Sequence, residues 1–317
     1  MPSPRQFIKS FGRGIVSVAG GADAAYDNLL VALVQFEKLG VISVKRFREV
    51  VQTVFRLARG REQLESVLGA EQISAAQVAI VRNLAETVIG RKRFLVLDVG
   101  AHDGWFIDRL LQRPLDVHVV AFEPLPAMQV ELEQRRARWP DMEIVPDAVG
   151  DQPGVLPLRI YPGLPGLSSL LDFEEGYRYF DGEFDPSNCH TVDVPIVTLD
   201  GYFATHPGLA AYENIAMKID VQGFEDRVLR GAEHLLAGGR VKAILIEMAM
   251  CPKYVGSWDY LRMIAHLDAL GFRLYDVNPF YRQIGMTFQA AAIGRLTEMD
   301  CLFVHQTTLG ESLARAA

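Results

Sequence analysis

The sequence predicts a doubly wound α/β body preceded by a helical extension, and three observations carry that prediction. From Phe94 onward, short apolar runs alternate with stretches of helical periodicity, the pattern of parallel strands joined by crossover helices. The first run leads into Asp98-Val99-Gly100-Ala101-His102-Asp103-Gly104, a glycine-bearing turn between a strand and a helix. Ahead of residue 91 the apolar residues recur instead at helical spacing, with glycines between the runs.

In the extension, residues 1–90, Tyr26, Leu29, Leu30, Leu33 and Phe36 share one helical face until Gly40, and Val44, Phe47, Val51, Val54, Phe55 and Ala58 share another until Gly60. Ser74-x-x-Gln77 resembles a capping box opening a helix that shows Ile80, Val81, Leu84 and Val88 on one side and stops at Gly90. Stripes this apolar need a cover. Packing between these helices or against the body, a second copy of the chain, and a membrane surface are the candidates.

In the body, residues 91–317, Phe94–Val99, Val117–Phe122, Met142–Val149, Ile215–Val221, Val241–Met248, Arg273–Val277 and Cys301–His305 read as strands. Trp105–Gln112, Pro126–Arg138, Phe224–Ala237 and Trp258–Leu270 read as the helices between them. Residues 150–214 break this rhythm with many prolines, glycines and aspartates. They predict loops and a strand pair, Val155–Tyr161 with Val192–Leu199, over the rim where such sheets bind ligands.

Composition narrows the function classes. Half of the residues are hydrophobic and 22% are charged, so the chain folds around a core rather than staying disordered. The net charge of −7 is divided unevenly: residues 1–93 hold 14 Lys and Arg against 8 Asp and Glu, and the remainder holds 18 against 31. An acidic body argues against nucleic acid as a partner, because that binding rests on neutralising phosphates. Cys189, Cys251 and Cys301 stand far apart with no C-x-x-C pair, which fits a reducing, cytoplasmic setting and suggests no thiolate metal site. Asp23 and Asp27 interrupt the longest apolar stretch, so neither a spanning helix nor a cleaved leader is expected. The basic extension leaves peripheral membrane contact and homo-oligomerisation open.

The glycine turn differs from a dinucleotide loop. A G-x-G-x-x-G loop seats a pyrophosphate on a helix N-terminus, where acidic side chains would repel it. Here Asp98 and Asp103 flank that position, so a cationic or zwitterionic ligand is expected. The second strand ends in Glu123, at the distance where a carboxylate accepts hydrogen bonds from ribose hydroxyls, and the third ends at Asp147-Ala148, where an adenine amino group could be read. Three acids at the carboxyl ends of three successive strands point to S-adenosylmethionine, with Gly100 and Gly104 giving its approach and His102 a hydrogen bond.

The blocks D-V-G-A-H-D-G (98–104), A-F-E-P (121–124), D-A-V-G (147–150), S-S-L (168–170), V-T-L-D (197–200), K-I-D-V-Q-G-F-E (218–225), V-L-R-G-A (228–232) and L-I-E (245–247) resemble, in order, the FkbM-type S-adenosylmethionine-dependent methyltransferases. That resemblance covers about residues 94–306. It implies the class I methyltransferase fold, Rossmann-like, with a seven-stranded sheet whose last strand runs antiparallel, and O-methylation of a sugar, a glycolipid or polysaccharide, or a polyketide-type hydroxyl. It also implies cofactor contacts for Asp98, Gly100, Glu123 and Asp147. Gln222 departs from the Glu that is frequent there.

Transfer to a hydroxyl needs a group to take its proton. Asp220 and Glu247 end neighbouring strands and Lys218 faces the same side as Asp220, so these three are the expected catalytic group, with His190 an alternative base. The two carboxylates could instead bind Mg²⁺ or Ca²⁺, or act structurally. Phe173, Tyr177, Tyr179, Phe180 and Phe184, interleaved with acids, suit either a sugar or a plain lid. Two other classes compete: a methyltransferase-like binding or assembly module without turnover, and an NAD(P)-dependent oxidoreductase.

Overall fold

The computed structural model describes residues 93–111, 115–175, 185–250, 253–282 and 295–309. The expected helices of residues 1–90, the boundary at 90/91 and the aromatics Tyr177, Tyr179, Phe180 and Phe184 lie outside the described residues.

Seven strands form one sheet: β1 (Phe94–Val99), β2 (Val117–Phe122), β3 (Met142–Val145), β7 (Ile215–Ile219), β8 (Val241–Ala249), β9 (Phe272–Arg282) and β10 (Arg295–His305). Their order is β3-β2-β1-β7-β8-β10-β9. β1, β2, β3, β7 and β8 pair in parallel, and β10 runs antiparallel to both β8 and β9. This is the expected seven-stranded class I methyltransferase sheet with its last strand reversed.

β1 and β7 are apolar except for Asp98 and Lys218 near their carboxyl ends, because both sheet faces are covered. Leu95, Leu97 and Val99 pack with Ile215, Met217 and Ile219 against α3 (Leu199–Thr205), α4 (Glu225–Arg230), α5 (Glu233–Ala237) and α6 (Tyr260–Ala269). Phe94 and Val96 face the other way, with Ala216, Leu245 and Leu302, onto α1 (Trp105–Leu110) and α2 (Pro126–Arg136). Arg135 fastens α2 to α1 through ion pairs with Asp103 and Asp108, and Trp139 donates its indole N–H to Asp108.

The rim segment forms a second, three-stranded sheet from β4 (Ala148–Val149), β5 (Gly154–Ile160) and β6 (His190–Val197), in which β5 and β6 are antiparallel as expected. Two expected elements are each split in two. The run Met142–Val149 is split, since Pro146 cannot donate to a ladder, and its second half joins the small sheet. The expected helix Phe224–Ala237 breaks at Gly231, where a β-carbon would lie 1.9 Å from the Gly150 carbonyl oxygen. There Asp200 restarts the chain as α5 by accepting the His234 and Leu235 N–H groups. Among the described residues, no helix is long and apolar enough to cross a membrane.

Candidate active site

Strand pleating places the chemistry on one face. Asp98 follows Phe94 and Val96 at period 2, Glu123 follows Val119 and Ala121, Lys218 follows Ala216, and Glu247 follows Ala243 and Leu245. Asp98 pairs in register with Lys218, and Glu247 with Asp300 of β10. A charged row therefore crosses the carboxyl edge where strand order reverses between β1 and β7, the place where open α/β sheets bind ligands.

A cavity of about 310 Å³ opens there. Gly100, His102, Glu123, Ala148, Lys218, Asp220 and Glu247 line it, together with Trp105, Phe106, Leu125, Ser168, Gln222 and Asp300. Asp98, Gly104, Asp147 and His190 are not among its lining residues. His190 stands exposed at the start of β6. Gly104 serves packing, since a β-carbon there would lie 2.7 Å from the side chains of Leu132 and Arg135.

The turn after β1 is built by close approach. Gly100 has φ +80°, and a β-carbon would sit 2.0 Å from the Asp220 carbonyl oxygen, so the ends of β1 and β7 meet only over glycine. His102 also adopts positive φ and donates its backbone N–H to Glu123 Oε2 at 2.7 Å, while Leu125 N–H reaches Glu123 Oε1 at 2.8 Å. These bonds aim a buried carboxylate at the cavity mouth. Burial raises the Glu123 carboxyl above its ordinary value, against the two backbone donors.

Asp98 is fully buried. Lys218 Nζ lies 3.4 Å from its Oδ1 and 3.7 Å from Asp220 Oδ2, and donates to the Gly100 carbonyl at 2.6 Å. Burial pushes the Asp98 carboxyl up while Lys218 opposes it. Burial alone would depress the Lys218 ammonium, but Asp98 and Asp220 outweigh it and hold it above an ordinary lysine. Lys218 is thus a fixed cation whose charge is already answered. Polar atoms that accept or donate no hydrogen bond gather at the same place: His102 Nε2, Ser168 Oγ and the Asp98 carboxylate, which Lys218 answers only as an ion pair. A hydrogen bond from His102 to Asp103 raises the imidazole above its ordinary value.

The second half of the site turns on a residue to which the sequence alone assigns no role. Gln222, at φ +52°, donates from Nε2 to Asp220 Oδ1 at 2.9 Å and to Glu247 Oε2 at 2.8 Å. Its Oε1 accepts from Lys253 Nζ at 2.9 Å and from the Tyr254 hydroxyl at 3.0 Å, and Lys253 pairs with Glu298. Burial, then Asp220, Glu298 and Asp300, push the Glu247 carboxyl well up. The turn is held by Ser169, whose hydroxyl donates to the Gln222 carbonyl at 2.6 Å, and by Glu225, which accepts the Val221 and Gly223 N–H groups. Among the described residues, no group of three or more His, Cys, Asp and Glu is arranged to hold a metal ion.

Sheet order and the cavity at its reversal define the class I methyltransferase type. The Methyltransferase FkbM domain model matches residues 98–274, more than half of the chain, and the chain belongs to that family. No curated protein matches it. Among solved structures it is similar to magnesium protoporphyrin IX methyltransferase from Synechocystis PCC 6803 with bound SAM, at 11% identity and a TM-score of 0.40 over 74% of this chain and 81% of that one. It is also similar to 1,6-didemethyltoxoflavin-N1-methyltransferase from Burkholderia thailandensis with bound S-adenosylhomocysteine, at 12% identity and a TM-score of 0.37 over 83% of this chain and 90% of that one.

Proposed function

We propose that the chain moves the methyl group of S-adenosylmethionine onto a hydroxyl oxygen of a sugar, a glycolipid or polysaccharide, or a polyketide-type acceptor. The observation that carries this reading is the charge of the cavity: Asp103, Glu123, Asp220, Glu247 and Asp300 line it against Lys218 alone among lysines and arginines. Such a wall favours a sulfonium over a diphosphate. The residues also fit the rest of the molecule. Each Glu123 oxygen keeps a lone pair for a ribose hydroxyl after its backbone bond. Gly100 lets the ligand approach the backbone, Ala148 lines the cavity beside Leu125, and the unpartnered His102 Nε2 and Ser168 Oγ await polar groups. Asp98 and Asp147 stand outside the lining, and Asp98 acts through Lys218.

When bound, S-adenosylmethionine supplies an electrophilic methyl group on a cationic sulfur. Asp220, directly after β7 and lining the cavity, orients the acceptor hydroxyl and takes its proton as the oxygen–methyl bond forms and the methyl–sulfur bond breaks, with S-adenosylhomocysteine as the leaving group. Lys218 holds the β1 and β7 ends in place, and Glu247 fixes Asp220 through Gln222. A small-molecule or glycan acceptor suits an acidic body of this kind better than nucleic acid.

Isothermal titration with S-adenosylhomocysteine and with NAD(P) tests the cofactor. Heat with the former and none with the latter is expected, and the reverse result returns the oxidoreductase reading. Transfer of labelled methyl from S-adenosylmethionine into cell-extract acceptors tests turnover, and binding without any transfer is the result expected of a silent module.

A further inference from the structure

We propose that Gln222 is a positioning residue that takes the place of a divalent cation between Asp220 and Glu247, making this half of the site independent of metal, and that Gln222→Glu converts it into a cation site. Two carboxylates at adjacent strand ends ordinarily repel or share a cation. Here one amide nitrogen supplies two protons, one to each carboxylate, at 2.9 and 2.8 Å.

The amide cannot be turned round. Lys253 Nζ is a donor only and lies 2.9 Å from the other amide atom, which must therefore be the oxygen, leaving the nitrogen toward the carboxylates. Lys253 is itself buried against Glu298. The backbone below is held as well. A β-carbon on Gly223 would lie 2.4 Å from the Tyr254 ring, and Ser169 and Glu225 bind the turn from two further sides. A side chain fixed at both ends, on a backbone in the left-handed region, is built to hold its two partners rather than to fill space. Replacing its nitrogen with oxygen puts a third carboxylate oxygen beside the first two, and carboxylate oxygens are the hard ligands that Mn²⁺ and Ca²⁺ take, with water filling the rest of their shells.

The inference shares the cavity with the proposed methyl transfer but not its test, because S-adenosylhomocysteine binding reports on one and cation response on the other. Thermal unfolding of the full chain is followed with EDTA, Mn²⁺ or Ca²⁺ at several pH values. Wild type is expected to give the same Tm in all three. Gln222→Glu in EDTA should lose Tm relative to wild type as pH rises, and should regain about 4 °C with Mn²⁺ or Ca²⁺ at a hundredfold excess over Kd. Adding Asp220→Asn should abolish that gain. A wild-type Tm that rises with cation and ceases to rise in Asp220→Asn overturns the proposal, and so does a Gln222→Glu variant that responds no more than wild type. Should Gln222→Glu not fold, the wild-type and Asp220→Asn titrations still decide the matter.

Discussion

Replacing Lys218 with Met should weaken the fold in a way that depends on pH. Lys218 and Asp98 side chains are 13% and 0% exposed, and no other described cation lies within ion-pair distance of Asp98. Removing one partner of a buried pair costs roughly 3–5 kcal/mol, because the other charge is left uncompensated. Burial already holds the Asp98 carboxyl above its ordinary value, and Lys218 is the group that opposes this shift, so its loss lets the carboxyl rise further. A carboxyl whose folded pKa exceeds its unfolded one keeps its proton in the folded state over that window, so stability is greatest below it and falls as pH rises through it. The slope is at most about 1.4 kcal/mol per pH unit for one proton, so between pH 5.5 and 7.5 the variant should lose up to about 2.7 kcal/mol relative to wild type. Urea unfolding at the two pH values, followed by the fluorescence of the three tryptophans, measures this directly. Asp98→Asn combined with Lys218→Met should recover most of the loss. A penalty equal at both pH values, or a double variant no more stable than the single one, would refute the pairing argument.

Three further outcomes are expected. Asp220→Asn should leave S-adenosylhomocysteine affinity within a few-fold while lowering turnover by about 10²–10⁴; lost binding or a melted fold would make Asp220 structural. Gly100→Ala places a β-carbon 2.0 Å from the Asp220 carbonyl oxygen at φ +80°, so it should lower Tm and weaken S-adenosylhomocysteine binding, and unchanged calorimetric affinity would show that this turn is not part of the pocket wall. Burial pushes the Glu225 carboxyl from 4.5 up to about 7, so wild-type stability should decline as pH rises across that window, and Glu225→Gln should flatten the decline; parallel Tm profiles would contradict this.

Much of the fold was legible because parallel strands buried on both faces are apolar along most of their length. Phe94–Val99 and Val117–Phe122 are strands at those bounds, where periodicity had nothing to compete with. Legibility failed where long-range contacts decide. The break at Gly231 depends on the Gly150 carbonyl, and no local pattern announces that approach. β9 and β10 run to 11 residues each, longer than their apolar cores suggest, because antiparallel pairing with each other carries them past the apolar stretch.

The candidate site divides along the same line. Asp98, Gly100, Glu123, Lys218, Asp220 and Glu247 could be named from the sequence because each sits at or near a strand end, and strand ends can be counted. Gln222 stood out only as a departure from the Glu frequent there, and Lys253 and Glu298 did not stand out at all, since their meaning is relational: a neutral amide matters only when two carboxylates stand on one side and a lysine on the other. One signal was available. Glu298 and Asp300 lie two apart in a strand, on the face that carries Leu302 and Val304, and acids in phase with buried apolar residues need a reason to be there. For Glu298 that reason is Lys253, and Lys253 in turn fixes the amide that sets Asp220 against the cavity. The antiparallel strand β10 therefore also supports the group expected to take the proton, and a change at Glu298 should reach Asp220 through two intervening side chains rather than through the backbone.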